Sequence, residues 1–180
     1  IEKAGFEGNE AAMEAAIQTD VMLPAYMLFL SGIPMLYSGD EIGQVNDYTY
    51  KEDPNKAPDS RYIHRGKFQW DLVDNIDLPQ TVQGRLFARL AKLEELRAAE
   101  KVFDASAAFR TLETWDDAIL GLVREKEDGK LVGLFNFSDE ARIAWIDEKD
   151  GQYQDLLTGE SIEASAVSVD GHGFYWLKRV

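Results

Sequence analysis

The stretch of this chain that most constrains its fold is GIPMLYSGDEIG, residues 32–43. Its apolar run, residues 33–37, is entered through Gly-Ile-Pro and left through Ser-Gly-Asp-Glu. A run of this length and composition predicts a strand buried on both faces, as strands of parallel sheets are. Asp40 and Glu41 follow its carboxyl end, where such sheets place binding and catalytic groups. The sequence therefore predicts a site just beyond a buried strand.

Helical patterns lie on both sides of this run. Residues 10–30 predict a helix that Asn9 caps and that Pro24 kinks or divides. A second helix is predicted from Pro79 to about Glu100, because apolar residues recur there at spacings of three and four. Between the strand and this helix, residues 40–77 are polar and lack any sustained period. A loop of that length inside a compact domain tends to be functional.

After Lys101 the pattern changes to seven short β-prone runs about ten residues apart, which predict an antiparallel sandwich. Turn-forming pairs such as Asp128-Gly129 and Asp150-Gly151 separate them, and residues 127–130 form a strong hairpin signal. The expected fold class is α+β: a helix-strand-helix portion over residues 1–100, followed by an all-β antiparallel sandwich over residues 101–180.

Composition excludes several classes of function. The formal net charge of −14 argues against nucleic acid or an anionic membrane as a partner, since both demand a basic surface. With no cysteine and two histidines, we expect neither a metal site nor another cofactor. The apolar run over residues 21–37 is interrupted by prolines and glycine and is too short to span a bilayer. No signal pattern is present, so a cytoplasmic location is favoured.

The spacing of Gly32, Pro34, Gly39 and Glu41 resembles the last barrel strand of the α-amylase family of glycoside hydrolases. The order of a strand, a long loop, an amphipathic helix and a sandwich that ends in Tyr-Trp-Leu-Lys is similar to the carboxyl-terminal part of that family. The loop text over residues 46–65, NDYTYKEDPNKAPDSRYIHR, looks most like the amylosucrases, which are sucrose-using glucosyltransferases of the family.

This resemblance implies that residues 1–100 are the last portion of a TIM (β/α)8 barrel. The parent enzyme would then transfer glucose from sucrose to an α-glucan, so its partners are small-molecule sugars. Its catalytic carboxylates belong to earlier strands, so the chain itself is expected to be inactive and no catalytic residue is assigned. Because its apolar faces would lack the rest of the barrel, the chain is also expected either to self-associate or to repack its helices against the sandwich.

The resemblance assigns one residue to substrate binding and four to loop support. Arg61, in the Asp-Ser-Arg motif, is expected to close the floor of a glucose pocket by pairing with a carboxylate from earlier in the barrel. A guanidinium suits this role because it is always charged and presents a planar fork to a carboxylate. Asp40, Glu41, Asp59 and Arg65 are expected to hold the loop in shape.

Two alternatives remain open. Within the family, the parent could instead hydrolyse starch oligosaccharides or sucrose. From another class, the chain could be a non-catalytic carbohydrate-binding or structural β-sandwich module, and carbohydrate binding would require an exposed aromatic patch. The strand-like surroundings of Trp115, Trp145 and Trp176 instead predict that these indoles pack in the core. Aromatic residues of the loop are expected mainly to pin it in place.

Overall fold

The structure is a computed structural model that describes residues 1–127, 129–147, 152–163 and 165–180. The chain forms two compact units. The first comprises Ile1–Ile17 and Leu36–Ala88, and the second comprises Gln18–Met35 and Arg89–Val180. The predicted boundary near residue 100 concerns the domains of a longer protein and stays a prediction. Among the described residues, no helix has the length and apolar character needed to cross a membrane.

The predicted helices are confirmed. After the short α1 (Glu2–Glu7), α2 spans Glu10–Phe29 and continues through Pro24 rather than dividing there. Asn9 caps α2, because its side-chain oxygen accepts a hydrogen bond from the Ala12 backbone N–H at 3.0 Å. Helix α3 covers Trp70–Val73 and α4 covers Val82–Ala99. Thr81 rather than Pro79 begins α4, since its hydroxyl accepts from the Gly84 N–H at 3.0 Å.

The predicted strand at residues 33–37 is wrong for this chain. No regular structure forms there, and the side chains of Ile33 and Met35 are 91% and 80% exposed. A strand is stabilised by ladder hydrogen bonds to a neighbouring strand. In the described part of the chain, no strand pairs with this segment. The apolar run therefore forms no strand, and the side chains of Ile33, Met35 and Tyr37 remain open to solvent.

The predicted antiparallel β architecture is confirmed. Among the described residues, eight strands form a six-stranded sheet in the order β1-β2-β3-β8-β5-β6 and a two-stranded sheet, β4-β7. Side chains from both sheets share one hydrophobic cluster, with Val132 and Leu177 from the larger sheet and Ala144 and Val167 from the smaller. The strands are β1 (Ala108–Leu112), β2 (Ile119–Lys126), β3 (Gly129–Asn136), β4 (Arg142–Trp145), β5 (Tyr153–Asp155), β6 (Ser161–Ile162), β7 (Ala166–Val169) and β8 (Phe174–Arg179).

The hairpin signal at residues 127–130 joins β2 to β3, which pair antiparallel with Lys126 opposite Gly129. Glu127 has a φ of 53°, the left-handed backbone that a tight turn requires. Asp128 itself lies outside the described residues, as does the predicted turn at Asp150-Gly151. The pairing of the flanking strands is what establishes the hairpin.

The end of α2 packs on the large sheet through an aromatic cluster. The ring of Phe29 lies 5.7 Å from that of Phe103, 5.8 Å from Phe135 and 6.1 Å from Trp176. Gly133 makes room for it, because a Cβ there would stand 3.0 Å from the Phe29 ring. Aromatic pairs at these distances stabilise the packing beyond the area they bury. This contact explains why the helix continues to Phe29.

Two guanidinium groups satisfy the carbonyls at the carboxyl end of α2. Arg97 donates to the Leu28 carbonyl and, at 3.2 Å, to that of Gly32. The fully buried Arg124 donates to the carbonyls of Phe29 at 3.1 Å and Val102 at 3.0 Å. The last carbonyls of a helix have no partner within it, and its carboxyl end attracts positive charge. Burial lowers the pKa of Arg124 below the ordinary arginine value.

The prediction for the tryptophans holds for Trp176 alone, which is fully buried. Trp115 and Trp145 are 76% and 54% exposed, so their assignment to the core was wrong. In β4 the inward position belongs to Ala144, and side chains alternate along a strand, so Trp145 faces outward. Trp115 lies beyond β1 with a φ of 58°.

Candidate functional site

The polar loop of residues 40–77 folds into three short 3-10 helices followed by α3. The 3-10 helices cover Asp40–Ile42, Tyr48–Glu52 and Ser60–His64. Aspartates precede two of them and bond their first turns: Asp47 accepts from the Thr49 N–H at 2.9 Å, and Asp59 accepts from the Arg61 N–H at 3.0 Å. Short polar side chains that bond the backbone two residues on are typical of turns. The loop is therefore ordered by its own aspartates.

Asp40 and Glu41 both accept backbone hydrogen bonds from the turn that precedes them. Oδ2 of Asp40 accepts from the Tyr37 N–H at 3.3 Å, and Oε2 of Glu41 accepts from the Gly39 N–H at 2.9 Å. Gly39 has a φ of 105°, a conformation that glycine adopts at little cost. Partial burial raises the pKa of Asp40, and the neighbouring Glu41 charge adds to the rise, while the bond from Tyr37 opposes it. The two carboxylates thus act on the loop backbone.

Arg61 forms a two-point ion pair with Asp59. Its Nε lies 2.8 Å from Oδ1 and its Nη2 lies 2.8 Å from Oδ2. The hydrogen bonds from Arg61 lower the pKa of Asp59 to about 2. The Arg61 side chain is 73% exposed, so most of the guanidinium surface faces solvent. In this chain the carboxylate that Arg61 holds comes from its own motif, rather than from an earlier part of a barrel.

The third 3-10 helix and its neighbours are held by cation–π contacts and polar contacts. The guanidinium of Arg65 lies 5.6 Å from the centre of the Tyr62 ring, and Lys56 Nζ lies 5.9 Å from it. His64 lies 3.0 Å through Nδ1 from Asn46 Oδ1, and its carbonyl accepts from the Tyr37 hydroxyl at 3.0 Å. The two contacts of His64 join this part of the loop to Tyr37 and Asn46.

A cleft of about 140 Å³ is lined by two segments, residues 37–46 and residues 63–66. Its lining includes Tyr37, Gly39, Asp40, Asn46 and His64. Of the five predicted site residues, only Asp40 is among the described residues that line it. The cleft is therefore built by residues on either side of the Asp-Ser-Arg motif, and Arg61 lies outside its lining.

Gln44 holds the loop together but was not recognised in the sequence. Its side-chain oxygen accepts from the Gln69 N–H at 3.0 Å, and its amide nitrogen donates to the Lys67 carbonyl at 3.3 Å. An amide can bridge two backbone groups because it carries both a donor and an acceptor. A lone glutamine has no sequence signature for this role, since its partners lie more than twenty residues away.

Some aromatic side chains of the loop are buried and hold it in place, whereas others are exposed to solvent. Tyr50 is buried and secures the second 3-10 helix, as expected. Tyr48 and Trp70 are exposed, and the Trp70 ring meets that of Phe68 edge-on at 4.7 Å. In the described part of the chain, no group of histidine, aspartate or glutamate side chains is arranged to hold a metal ion. The loop offers hydrogen-bonding groups and the guanidinium groups of Arg61 and Arg65.

Residues 111–172 match the family described as the bacterial alpha amylase C-terminal domain. This match covers about a third of the chain and lies within its second compact unit. The chain is also 25% identical over 172 residues to the glucosylglycerate phosphorylase of Escherichia coli (strain K12), an alignment that covers 94% of this chain and 30% of that protein. This relationship extends over both compact units.

Solved structures share the fold. AmyP in complex with maltose superposes with a TM-score of 0.72 at 18% identity, covering 90% of this chain and 34% of that one. The trehalose-6-phosphate hydrolase of Bacillus licheniformis superposes with a TM-score of 0.64 at 16% identity, covering 91% and 39%. The chain thus spans about a third of the length of the proteins that it resembles.

Proposed function

We propose that this chain is the carboxyl-terminal part of an α-amylase-family enzyme that acts on α-glucosidic bonds. The observation that carries the proposal is the 25% identity to glucosylglycerate phosphorylase over 94% of the chain. It reaches well beyond residues 111–172, so the likeness is not confined to a β domain that unrelated proteins could share. Residues 1–100 would then complete the barrel of the parent, and residues 101–180 would form its last domain.

The parent is proposed to transfer a glucosyl unit from a small glucoside such as sucrose, as amylosucrases do. Enzymes that retain configuration use two carboxyl groups about 5–5.5 Å apart, one as nucleophile and one as acid. In the family that this chain resembles, both carboxyl groups belong to strands that lie upstream of this chain. The chain alone is therefore expected to release no glucose. Arg61 would help to close the floor of the pocket, and its exposed guanidinium supports this because a second carboxylate has access to it.

A second candidate is phosphorolysis, because the curated relative is a phosphorylase. In that case phosphate rather than a growing glucan would accept the glucosyl unit, and the product would be glucose 1-phosphate. Both candidates share a covalent glucosyl intermediate and differ only in the molecule that attacks it. The molecule that accepts the glucosyl unit therefore distinguishes the transferase from the phosphorylase. If water is the acceptor, the parent is a hydrolase.

The test uses the complete protein from which this chain comes, incubated with sucrose or glucosylglycerate in the presence and absence of phosphate. Glucan, glucose 1-phosphate or free glucose would identify a transferase, a phosphorylase or a hydrolase, respectively. Absence of all three products with both substrates would contradict the proposal. Glucose release by the purified chain alone would contradict its expected inactivity.

The role of Arg61 is tested in the same protein with Arg61→Ala. Opening the pocket floor misplaces the glucosyl ring, and a small misplacement can cost about 100-fold in rate. Arg110→Ala is the matched control, because Arg110 is an exposed arginine on β1 that pairs with Glu125 at 3.8 Å. Turnover that stays near the wild-type value in Arg61→Ala would remove the pocket-floor role while leaving the family assignment intact.

A further inference from the structure

The cleft lined by residues 37–46 and 63–66 carries polar groups that no described residue satisfies. Oδ2 of Asp40 accepts from the Tyr37 N–H, but in the described part of the chain its Oδ1 has no hydrogen-bond partner. The Ser38 hydroxyl and Nε2 of His64 likewise make no hydrogen bond to a described residue. Asp40, Ser38 and His64 all line the cleft. The cleft therefore presents three open hydrogen-bonding groups.

Two linked hydrogen bonds determine which nitrogen of His64 is open. Asn46 Nδ2 donates to Glu2 Oε2 at 3.4 Å, so the oxygen of this amide is the atom that faces His64. Nδ1 of His64 lies 3.0 Å from that oxygen. An amide oxygen can only accept a hydrogen bond, so Nδ1 is the donor, and in the neutral ring Nε2 keeps the lone pair. His64 therefore adds an acceptor to the lining of the cleft.

The open groups favour a ligand that donates hydrogen bonds. Oδ1 of the Asp40 carboxylate and Nε2 of His64 both accept, and the Ser38 hydroxyl can accept or donate. A ligand hydroxyl supplies the O–H that such groups require, whereas a carboxylate only accepts. Among the described residues that line the cleft there is no lysine or arginine, so an anion would lie near Asp40 without a cation to offset it. The cleft thus selects an uncharged molecule with several hydroxyl groups.

The volume of the cleft limits how large this molecule can be. The cleft measures about 140 Å³. A cavity of about 150 Å³ in another protein holds one benzene molecule, which has as many non-hydrogen atoms as glycerol. Pockets for larger ligands measure about 300–1,000 Å³, and glucose has twice as many non-hydrogen atoms as glycerol. A three-carbon polyol therefore fits the cleft, and a glucosyl ring does not.

The place of the cleft in the chain suits a second substrate. Its first lining residue, Tyr37, is the last residue of the apolar run over residues 33–37. In the proposed parent this run belongs to a (β/α)8 barrel, and such barrels carry their active sites beyond the carboxyl ends of their strands. A molecule in the cleft would then lie on the face of the barrel where the glucosyl unit is transferred.

We propose that the cleft binds a small uncharged polyol, which accepts the glucosyl unit, and that Asp40, Ser38 and His64 bond its hydroxyl groups. This inference rests on the proposed function. In the transfer, a polyol oxygen forms the bond to C1 of the glucosyl unit, and the bond from C1 to the nucleophilic carboxylate breaks. The hydroxyl proton passes to the second carboxyl group, which acts as base. The cleft supplies neither carboxyl group and determines which acceptor is used.

Binding is tested by NMR titration of the nitrogen-15-labelled chain with glycerol, glycerate and glucose, with the side-chain amide of Asn46 as reporter. We expect saturable shifts with glycerol, at least tenfold weaker binding of glycerate, and no saturable shift with glucose. His64→Phe should weaken glycerol binding at least fivefold, because the ring remains but its acceptor nitrogen is lost. Signals from residues outside the cleft verify that each variant folds.

Asp40→Asn tests the selection against anions. Its amide oxygen can still accept from the Tyr37 N–H, while the negative charge is removed. We expect glycerate to bind this variant at least tenfold more tightly than it binds the wild-type chain. Asp71→Asn is the matched control, because Asp71 is an exposed aspartate of α3 outside the lining of the cleft, and it should leave the preference for glycerol unchanged.

In the complete protein, Asp40→Asn should lower the ratio of kcat/KM for glycerol to that for glycerate at least tenfold. Transfer to glucan, phosphate or water without transfer to glycerol would overturn the acceptor role and leave the proposed function intact. The absence of a saturable glycerol shift, or equal binding of glucose, would overturn the polyol site itself. A complete protein that transfers no glucosyl unit would instead contradict the proposed function, and the titration of the chain would still decide whether the cleft binds a polyol.

Discussion

Replacing Arg124 with methionine tests what holds the end of α2 on the large sheet. Arg124 is fully buried on β2 and donates to the carbonyls of Phe29, Val102 and Asp104 and to the Ser31 hydroxyl. Methionine keeps most of the apolar stem of arginine, so the cavity left behind is small. The substitution therefore removes mainly the hydrogen bonds and the charge.

The loss of stability in Arg124→Met can be worked out from the carbonyl groups that lose their hydrogen-bond donor. Phe29 and Val102 are both buried, and each carbonyl left unsatisfied costs about 1–3 kcal/mol, or roughly 2–6 kcal/mol together. The Asp104 carbonyl belongs to an exposed residue, where water replaces the donor. Removing a buried charge returns part of its desolvation cost. We expect a loss of about 3 kcal/mol, a large share of the roughly 5–15 kcal/mol that stabilises a typical domain.

Urea unfolding followed by tryptophan emission measures this loss, because among the four tryptophans only Trp176 is fully buried, beside Phe29 and Phe103. With a urea dependence of about 1–3 kcal/mol per molar, the midpoint should fall by roughly 1–3 M. Arg110→Met is the control, since exposed ion pairs contribute less than about 1 kcal/mol. A midpoint for Arg124→Met that matched this control would refute the account of the helix end.

Three further outcomes are expected. Gly133→Ala should destabilise the β unit by about 1–3 kcal/mol in the same urea assay, because its Cβ would crowd the Phe29 ring. The pKa of the Asp59 carboxyl, measured by NMR, should be about 2, below its ordinary 3.8. Because this pKa is lowered in the folded loop, the ion pair should contribute fully to stability above pH 3.8. That contribution should be lost as the pH falls through 2. Ile33→Ser should reduce self-association and hydrophobic-dye binding more than Phe6→Ser, an equally exposed control, does.

The helices and the β hairpin were predictable because their signals are local. The cap at Asn9 and the periodic leucines of α4 act over three or four residues, which the sequence displays directly. Leu86, Leu90 and Leu93 are buried, as the period predicts. The strand predicted at residues 33–37 did not form, because a strand depends on partners elsewhere. The apolar composition of residues 33–37 indicates that these side chains would be buried beside neighbouring strands. The described part of the chain supplies no such strand.

The tryptophans also show that a short sequence does not reveal which positions of a strand face the core. A strand of four residues, such as β4, carries two outward and two inward positions, and a shift of one residue exchanges them. Composition alone therefore did not reveal that Ala144 takes the inward position and Trp145 the outward one. In the candidate site, the bond between Asp59 and the Arg61 N–H spans two positions, so a local sequence pattern can display it. The bridge made by Gln44 was not, since it joins distant parts of the loop.

The local pairing of Arg61 bears on how the loop would work in a longer protein. Asp59 already lies two residues from Arg61 and holds its fork from one side, which fixes the direction of the guanidinium before any other partner arrives. Ion pairs exposed to water are weak, because solvent and salt screen the charges. A second carboxylate could therefore bind the exposed side of the Arg61 guanidinium, which Asp59 already orients. Its binding would not require the loss of a strong existing interaction. Arg61→Lys keeps the charge but loses the planar fork, so sucrose turnover in the complete protein should fall with this substitution nearly as far as with Arg61→Ala. Full rescue by lysine would mean that charge alone, and not the oriented fork, is what the pocket needs.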